Sequence, residues 1–165
     1  MPSRRTLLRS ASVAGVGALA GCNALRPGAE GYVQLKTVEG MYGENGVWKS
    51  DTVIDVELSS PPGEKPPELE GPFGEWDRYF DTPRQPVVSE SLHEELRLSY
   101  EKVRYVVGVC TPKWADGGDD IGCYNVATTR ETFNAAQVHD RVRASSDGSS
   151  MTIHSTDGEW SFDSE

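Results

Sequence analysis

Three aspartates separated by glycines are the residues of this chain best suited to bind a small cation. Asp116, Asp119 and Asp120 surround two glycines in the segment DGGDD. Hard cations such as Ca²⁺ bind several oxygen ligands on a tight loop, and carboxylates spaced by glycine can supply them. The ligand order of an EF-hand and its terminal Glu are absent. The segment is therefore a candidate Ca²⁺ site, and the commoner alternative is a solvated loop of an acidic protein.

The sequence offers no set of residues for a known type of catalysis. A G-x-S-x-G elbow, a Walker-type phosphate loop and a G-x-G-x-x-G motif are all absent. The segment 93–97 begins like a zinc-protease helix, but Arg97 stands where the second His is needed. The three histidines are scattered over predicted polar faces, at His93, His139 and His154. We therefore expect no catalytic residue and no cofactor, and we favour a binding function over an enzyme.

Four aromatic residues lie within eight positions: Phe73, Trp76, Tyr79 and Phe80. Spacings of three and four place them on one face of a short helical turn. One interpretation, the commoner one, is a flap that plugs one end of the core. The other is an exposed patch formed by Trp76, Tyr79 and Phe80, which would bind a sugar or a protein partner.

Short segments of alternating polarity predict the strands that would position these residues. They lie at 32–38, 47–58, 102–111, 123–129, 138–143 and 151–155, and the tail from Gly158 could add an edge strand. The Asn45-Gly46 dipeptide predicts that the first two form a hairpin. In the first strand, alternation places Val33 on one side and Lys36 on the other. Ser89 is the predicted N-cap of a short helix that ends near Arg97.

Five to seven short strands with one or two short helices predict a mainly β fold, arranged as a small barrel or sandwich. The segment 133–144 resembles the turn-and-strand pattern of small OB-like or SH3-like barrels. Residues 59–72 contain five prolines, a density that opposes helices and strand ladders and predicts an exposed loop.

The first 22 residues have the pattern of an export signal. Positive charges at Arg4, Arg5 and Arg9 precede a short apolar run at 11–20, which is too short to span a bilayer. The segment Ser3 to Leu8, SRRTLL, resembles the twin-arginine (Tat) motif. The segment Leu19 to Cys22, LAGC, resembles a lipobox. The alternative, an ordinary N-terminal helix with a chance Cys, explains neither the order nor the spacing of the two signals.

The resemblance to Tat-exported lipoproteins implies how the chain is divided and where it is located. The signal peptide would be residues 1–21, and the lipidated Cys22 with its tether would be residues 22–30. One β-rich extracytoplasmic domain would follow at 31–165. Durable anchoring usually needs two acyl chains, at about 0.8 kcal/mol per buried CH₂. We therefore expect a lipid anchor on Cys22 that holds the domain on the extracellular face of the cell membrane.

The same resemblance bears on the other two cysteines. If Cys22 carries lipid, Cys110 and Cys123 remain as a pair in an oxidising compartment, which favours a disulfide between them. The alternative is half of a metal site, but C-x₂-C spacing is absent and no His lies nearby in sequence. The bond would close the base of a hairpin loop.

The part of the chain after Cys22 is strongly acidic. It carries 13 basic and 26 acidic residues, a net charge of −13, and only five of its basic residues are Lys. This composition resembles secreted proteins of halophilic archaea, and the alternative is an acidic protein from an ordinary habitat. It also argues against nucleic acid as a partner, because the sequence has neither a basic patch nor a basic stripe.

We expect the domain to be more stable in molar KCl or NaCl than at low salt. Its negative charges repel one another in dilute buffer, whereas at about 1 M salt the Debye length falls to roughly 3 Å. Thermal melting across a salt series measures this effect. A melting temperature that stays constant or falls with added salt would contradict it.

These observations leave three functions open. The first is a lipid-anchored binding or interaction module, the second an accessory subunit of a membrane transport or respiratory complex, and the third an enzyme. A pocket with converging polar groups would favour a ligand-binding protein. An exposed apolar patch around Trp76, Tyr79 and Phe80 would instead favour a protein partner.

Overall fold

A computed structural model describes residues 27–162. The Tat motif, the lipobox and Cys22 lie outside the described residues. The strands are β1 (Ala29–Glu44), β2 (Val47–Glu57), β3 (Glu68–Glu70), β4 (Lys102–Thr111), β5 (Gly122–Thr128), β6 (Asp140–Ser146) and β7 (Met151–Glu159). The helices are α1 (Glu90–Ser99) and α2 (Arg130–Asn134), and short 3₁₀ turns span Gly74–Tyr79 and Pro112–Trp114. The mainly β prediction is confirmed.

The long strand β1 is the centre of one antiparallel sheet. One part of the sheet has the order β3-β2-β1-β4-β5. Strand β6 pairs with Ala29 to Tyr32 at the start of β1, and β7 pairs with β6. The edges of β5 and β7 meet at a side-chain hydrogen bond, from Thr128 Oγ1 to the Met151 carbonyl at 3.1 Å. No backbone ladder joins these two strands in the described chain, so the sheet stays open and does not close into a barrel.

A bulge in β1 decides which side chains of that strand reach the core. The pairing of β1 with β4 shifts between Val33 and Leu35, so Gln34 is an extra residue in β1. Such a bulge reverses the side on which the following residues point. Lys36 therefore lies on the same side as Val33, and both are fully buried. The prediction from alternation, which placed Lys36 on the opposite side, is wrong for this reason.

The two helices cover the core side of the sheet. Ser89 caps α1 as predicted, because its Oγ accepts a hydrogen bond from the Leu92 amide. Leu92 and Leu96 of α1 and Phe133 of α2 are fully buried. Within residues 27–162, no helix is long and apolar enough to cross a membrane.

The proline-rich segment 59–72 is mostly exposed, as predicted, but its first half is held by an internal hydrogen bond and its second half pairs with the sheet. The Ser59 hydroxyl is buried and lies 2.9 Å from the Lys65 carbonyl oxygen. Near the other end, the residues of β3 form a short ladder with β2. The expectation that this segment contains no ladder is wrong for Glu68–Glu70. These three residues lie between Pro67 and Pro72, and none of them is a proline. The segment therefore forms a fixed wall beside β2.

Replacing Gly40 with Ala is expected to lower the free energy of unfolding by about 1–3 kcal/mol. The Tyr100 ring lies directly on Gly40, and an added Cβ would come within 2.3 Å of it. Gly43→Ala is the matched control on the same strand, because its Cβ would meet only the flexible carboxylate of Glu101 at 3.3 Å. Urea denaturation of the two variants measures the difference. Equal midpoints would show that the Tyr100 ring is not fixed on Gly40.

Candidate functional site

The candidate Ca²⁺ ligands lie in the loop between the Pro112–Trp114 turn and β5. Asp116, Asp119 and Asp120 are all exposed. Within residues 27–162, no three His, Cys, Asp or Glu side chains are grouped closely enough to hold a metal ion. The three carboxylates are therefore not grouped around a common point in this structure, and the Ca²⁺ site stays a prediction.

The aromatic residues predicted as a partner patch lie largely in the core. Trp76 and Phe80 are only 6% and 7% exposed. Tyr79 is partly buried and its ring lies 6.2 Å from that of Trp76. The large exposed ring of this segment is Phe73. The patch does not present the Trp76 and Phe80 rings to solvent, because the 3₁₀ turn directs them into the core as a plug.

Cys110 and Cys123 are brought together as predicted. They lie directly opposite each other in the ladder of β4 and β5, with their sulfur atoms 2.04 Å apart. The pair closes the base of the loop that holds the three aspartates.

Two histidine pairs resemble parts of catalytic sites but lack the remaining groups. His154 Nε2 lies 2.8 Å from Ser145 Oγ on the exposed part of β6 and β7. No carboxylate among residues 27–162 hydrogen-bonds the other ring nitrogen of this histidine, so the pair has no orienting acid. His93 Nδ1 lies 2.6 Å from the Tyr105 hydroxyl, and burial raises the pKa of Tyr105 to about 12. A phenol with such a pKa stays protonated at neutral pH, and Tyr105 is a residue of the core.

A double cleft beside His139 is formed by segments that are distant in sequence. Its first half, the aromatic cleft, has a volume of about 420 Å³ and is lined by Pro62, Gly63, Glu64, Trp160, Ser161 and Phe162. Its second half, the proline cleft, has a volume of about 360 Å³, with Pro66, Pro67, Pro83, Arg84, Gln85 and Val138 in its walls. His139 and Glu159 line both halves. The two halves therefore adjoin at these two residues, and together they are called the groove, with mixed apolar and polar walls.

His139 is fixed in an unusual backbone conformation at the junction of the two halves. Its φ of 83° is rare for a residue other than Gly. Its amide donates to the Val33 carbonyl at 2.9 Å, and its carbonyl accepts from the Trp160 amide at 2.9 Å. Its ring stacks on Phe162 with centroids 5.5 Å apart. Residues held in such conformations are common at binding sites, where the surrounding structure fixes them.

Lys36 connects two segments that continue into the walls of the proline cleft. Its Nζ donates to the Pro86 carbonyl at 2.8 Å and to Gln137 Oε1 at 2.9 Å, and it lies 4.1 Å from the centre of the Phe133 ring. Pro86 and Gln137 are the direct neighbours of two residues that line the cleft. Burial lowers the pKa of Lys36 to about 7, and nearby Asp140 partly opposes this shift.

Sequence reasoning did not identify Lys36 or the double cleft. The walls of the groove come from residues 62–67, 82–85, 138–139 and 159–162, and no short motif links segments so far apart. Comparison with protein-family models, with curated proteins and with solved structures finds no match to this chain. Its function is therefore argued from geometry and chemistry.

Proposed function

We propose that this chain is a lipid-anchored extracytoplasmic binding module whose ligand is a small organic molecule held in the double cleft. The observation that carries the proposal is the groove itself, in which apolar walls meet a few polar groups around His139. Ligand sites of small molecules combine these two kinds of surface. The burial of Trp76 and Phe80 removes the main argument for docking a protein partner through that segment.

The polar groups of the groove can fix the orientation of a ligand. Arg84 and Gln85 can donate hydrogen bonds in the proline cleft, and the carboxylates of Glu64 and Glu159 can accept them. The Arg84 Nε is already bonded to the Pro67 carbonyl at 2.9 Å, which holds this side chain against the proline wall. A fixed guanidinium binds at a lower entropic cost than a mobile one.

The proposed anchor would place the groove near the membrane. Six residues separate Cys22 from Ala29, where β1 begins, so the tether spans at most about 25 Å. The Tyr32 ring, close to the start of β1, contacts Trp160 and Phe162 with centroids 5.6 and 4.9 Å apart. The aromatic cleft therefore lies at the end of the domain that is nearest to the tether. This position suits a protein that binds solutes at the cell surface.

Ligand-observed NMR with a library of small organic cations, neutral molecules and anions tests this proposal. The full-length mature protein is compared with Thr82→Trp, which places a large ring in the exposed rim of the proline cleft. Thr152→Trp, an exposed position on β7, is the matched control. We expect binding that is lost in Thr82→Trp and kept in Thr152→Trp. Compounds that bind both variants alike, or no binding at all, would contradict a function for the groove.

A further inference from the structure

We infer that the double cleft selects an organic cation, with its ammonium group in the aromatic cleft and an apolar substituent along the proline cleft. This inference rests on the proposed function, because it assigns a ligand class to the same groove. It is carried by the distribution of charges, aromatic rings and apolar walls between the two halves.

The aromatic cleft is negatively charged. Glu64 and Glu159 line it, and no Lys or Arg is among its lining residues. Neither carboxylate forms an ion pair within residues 27–162. Asp140 lies opposite Glu159 in the ladder of β6 and β7 and adds a third negative charge nearby. A positive charge in this half of the groove would therefore be stabilised, and an anion would be repelled.

The two basic side chains described beside the groove, Arg141 and Arg84, contact groups other than the glutamates of the aromatic cleft. Arg141 lies 3.5 Å from Glu30 and packs over the Trp160 ring at 5.4 Å. Arg84, in the other half, is bonded to the Pro67 carbonyl. These contacts leave the two glutamates of the aromatic cleft without a counter-ion among residues 27–162.

The aromatic rings distinguish an organic cation from a metal ion. Trp160 and Phe162 line the same half as the glutamates, and aromatic faces attract alkylammonium groups by cation–π interactions. A hard metal ion would instead require several converging oxygen ligands, and the described residues contain no such group of His, Cys, Asp or Glu. Carboxylates combined with aromatic rings favour a large cation of diffuse charge.

The proline cleft accounts for the rest of the ligand. Its walls include Pro66, Pro67, Pro83 and Val138, and it adjoins the aromatic cleft at His139 and Glu159. A hydrocarbon substituent attached to the ammonium nitrogen would extend into this half. We therefore expect a longer apolar chain to bind more tightly than a methyl group, by about fourfold per buried CH₂.

Isothermal titration of the full-length mature protein tests this inference with defined probes. The probes are butyltrimethylammonium, tetramethylammonium, choline, its neutral isostere 3,3-dimethylbutan-1-ol, and the anion pentanoate. We expect butyltrimethylammonium to bind most tightly and choline to bind at least about fivefold more tightly than its neutral isostere. Glu159→Gln should weaken butyltrimethylammonium at least about fivefold. Glu68→Gln, an exposed residue of β3, should change the affinity by less than about twofold.

Equal binding of choline and its neutral isostere would overturn the inference, and so would an unchanged affinity in Glu159→Gln. If pentanoate or the neutral alcohol binds at least as tightly as the ammonium probes and Thr82→Trp abolishes that binding, the groove is a ligand site but not a cation site. In that case the inference fails while the proposed function stands. If none of the probes binds, the cation inference also fails, and the wider library then decides the proposed function alone.

Discussion

Replacing Lys36 with Met is expected to remove a rise in stability that the wild-type protein shows between about pH 7 and pH 10. The Lys36 side chain is fully buried, and burial lowers the pKa of its ammonium to about 7. Met has a similar length but does not titrate. The variant also removes the Lys36 donor from Gln137 Oε1 and from the Pro86 carbonyl, which keeps a longer hydrogen bond from Gln137 Nε2 at 3.4 Å. The loss of these hydrogen bonds affects the walls of the proline cleft at every pH. It is therefore distinct from the change in the pH dependence of stability.

The direction of the pH effect follows from proton binding in the two states. Between the folded pKa of about 7 and the ordinary value of about 10.4, Lys36 is neutral in the folded protein and protonated in the unfolded chain. The unfolded chain then binds more protons, so the free energy of unfolding rises with pH. The contribution is fully present above the unfolded pKa and is lost as the pH falls toward 7. Its upper bound is roughly 5 kcal/mol.

Urea denaturation at several pH values from about 6 to about 9.5 measures this difference. The buried tyrosines act in the opposite direction at higher pH, because burial raises the pKa of Tyr32, Tyr100 and Tyr105. Their contributions cancel when the variant is compared with the wild type. Lys113→Met, an exposed position, is the matched control and should retain the wild-type rise. Parallel pH profiles of Lys36→Met and the wild type would show that Lys36 is not buried as a neutral amine.

Removal of the disulfide between Cys110 and Cys123 is expected to lower the free energy of unfolding by about 2–3 kcal/mol. The bond joins residues 13 positions apart, and closing a loop of this length restricts the unfolded chain by roughly that amount. The two residues already face each other in the ladder of β4 and β5. The fold should therefore form without the bond and lose only part of its stability.

The double variant Cys110→Ala/Cys123→Ala measures this effect by urea denaturation, and the wild type treated with a reductant gives a second measurement. Both should shift the midpoint by a similar amount. The matched control is the double variant itself treated with the same reductant, which should show no change. Identical curves for oxidised wild type and double variant would contradict a stabilising bond between these residues.

Local patterns were sufficient to predict much of the fold. The alternation at 102–111 predicts β4 with the bounds found in the structure, Lys102–Thr111. The Asn45-Gly46 dipeptide marks the turn between β1 and β2, where both residues have positive φ. The cap at Ser89 predicts the start of α1. These features depend on residues close in sequence, so periodicity and turn chemistry are enough to find them.

The candidate site could not be predicted in the same way, because it depends on contacts between distant segments. The burial of Lys36 follows from the bulge at Gln34, which is defined only by the pairing with β4. The groove needs the proline-rich segment to lie beside the end of β7. The aromatic residues at 73–80 have the same spacing whether they form a plug or a patch. Only the packed structure distinguishes those two arrangements.

We propose above all that the protein acts outside the cell as a lipid-anchored binding module. This proposal depends on export and lipid anchoring. Both would account for the disulfide, the acidic surface and a groove that is open to solutes outside the cell. Mass spectrometry of the protein from the membrane fraction tests that premise directly. We predict an N-terminus at Cys22 that carries the added mass of acyl chains. A protein that still begins at Met1, or that carries an unmodified Cys22, would contradict the account.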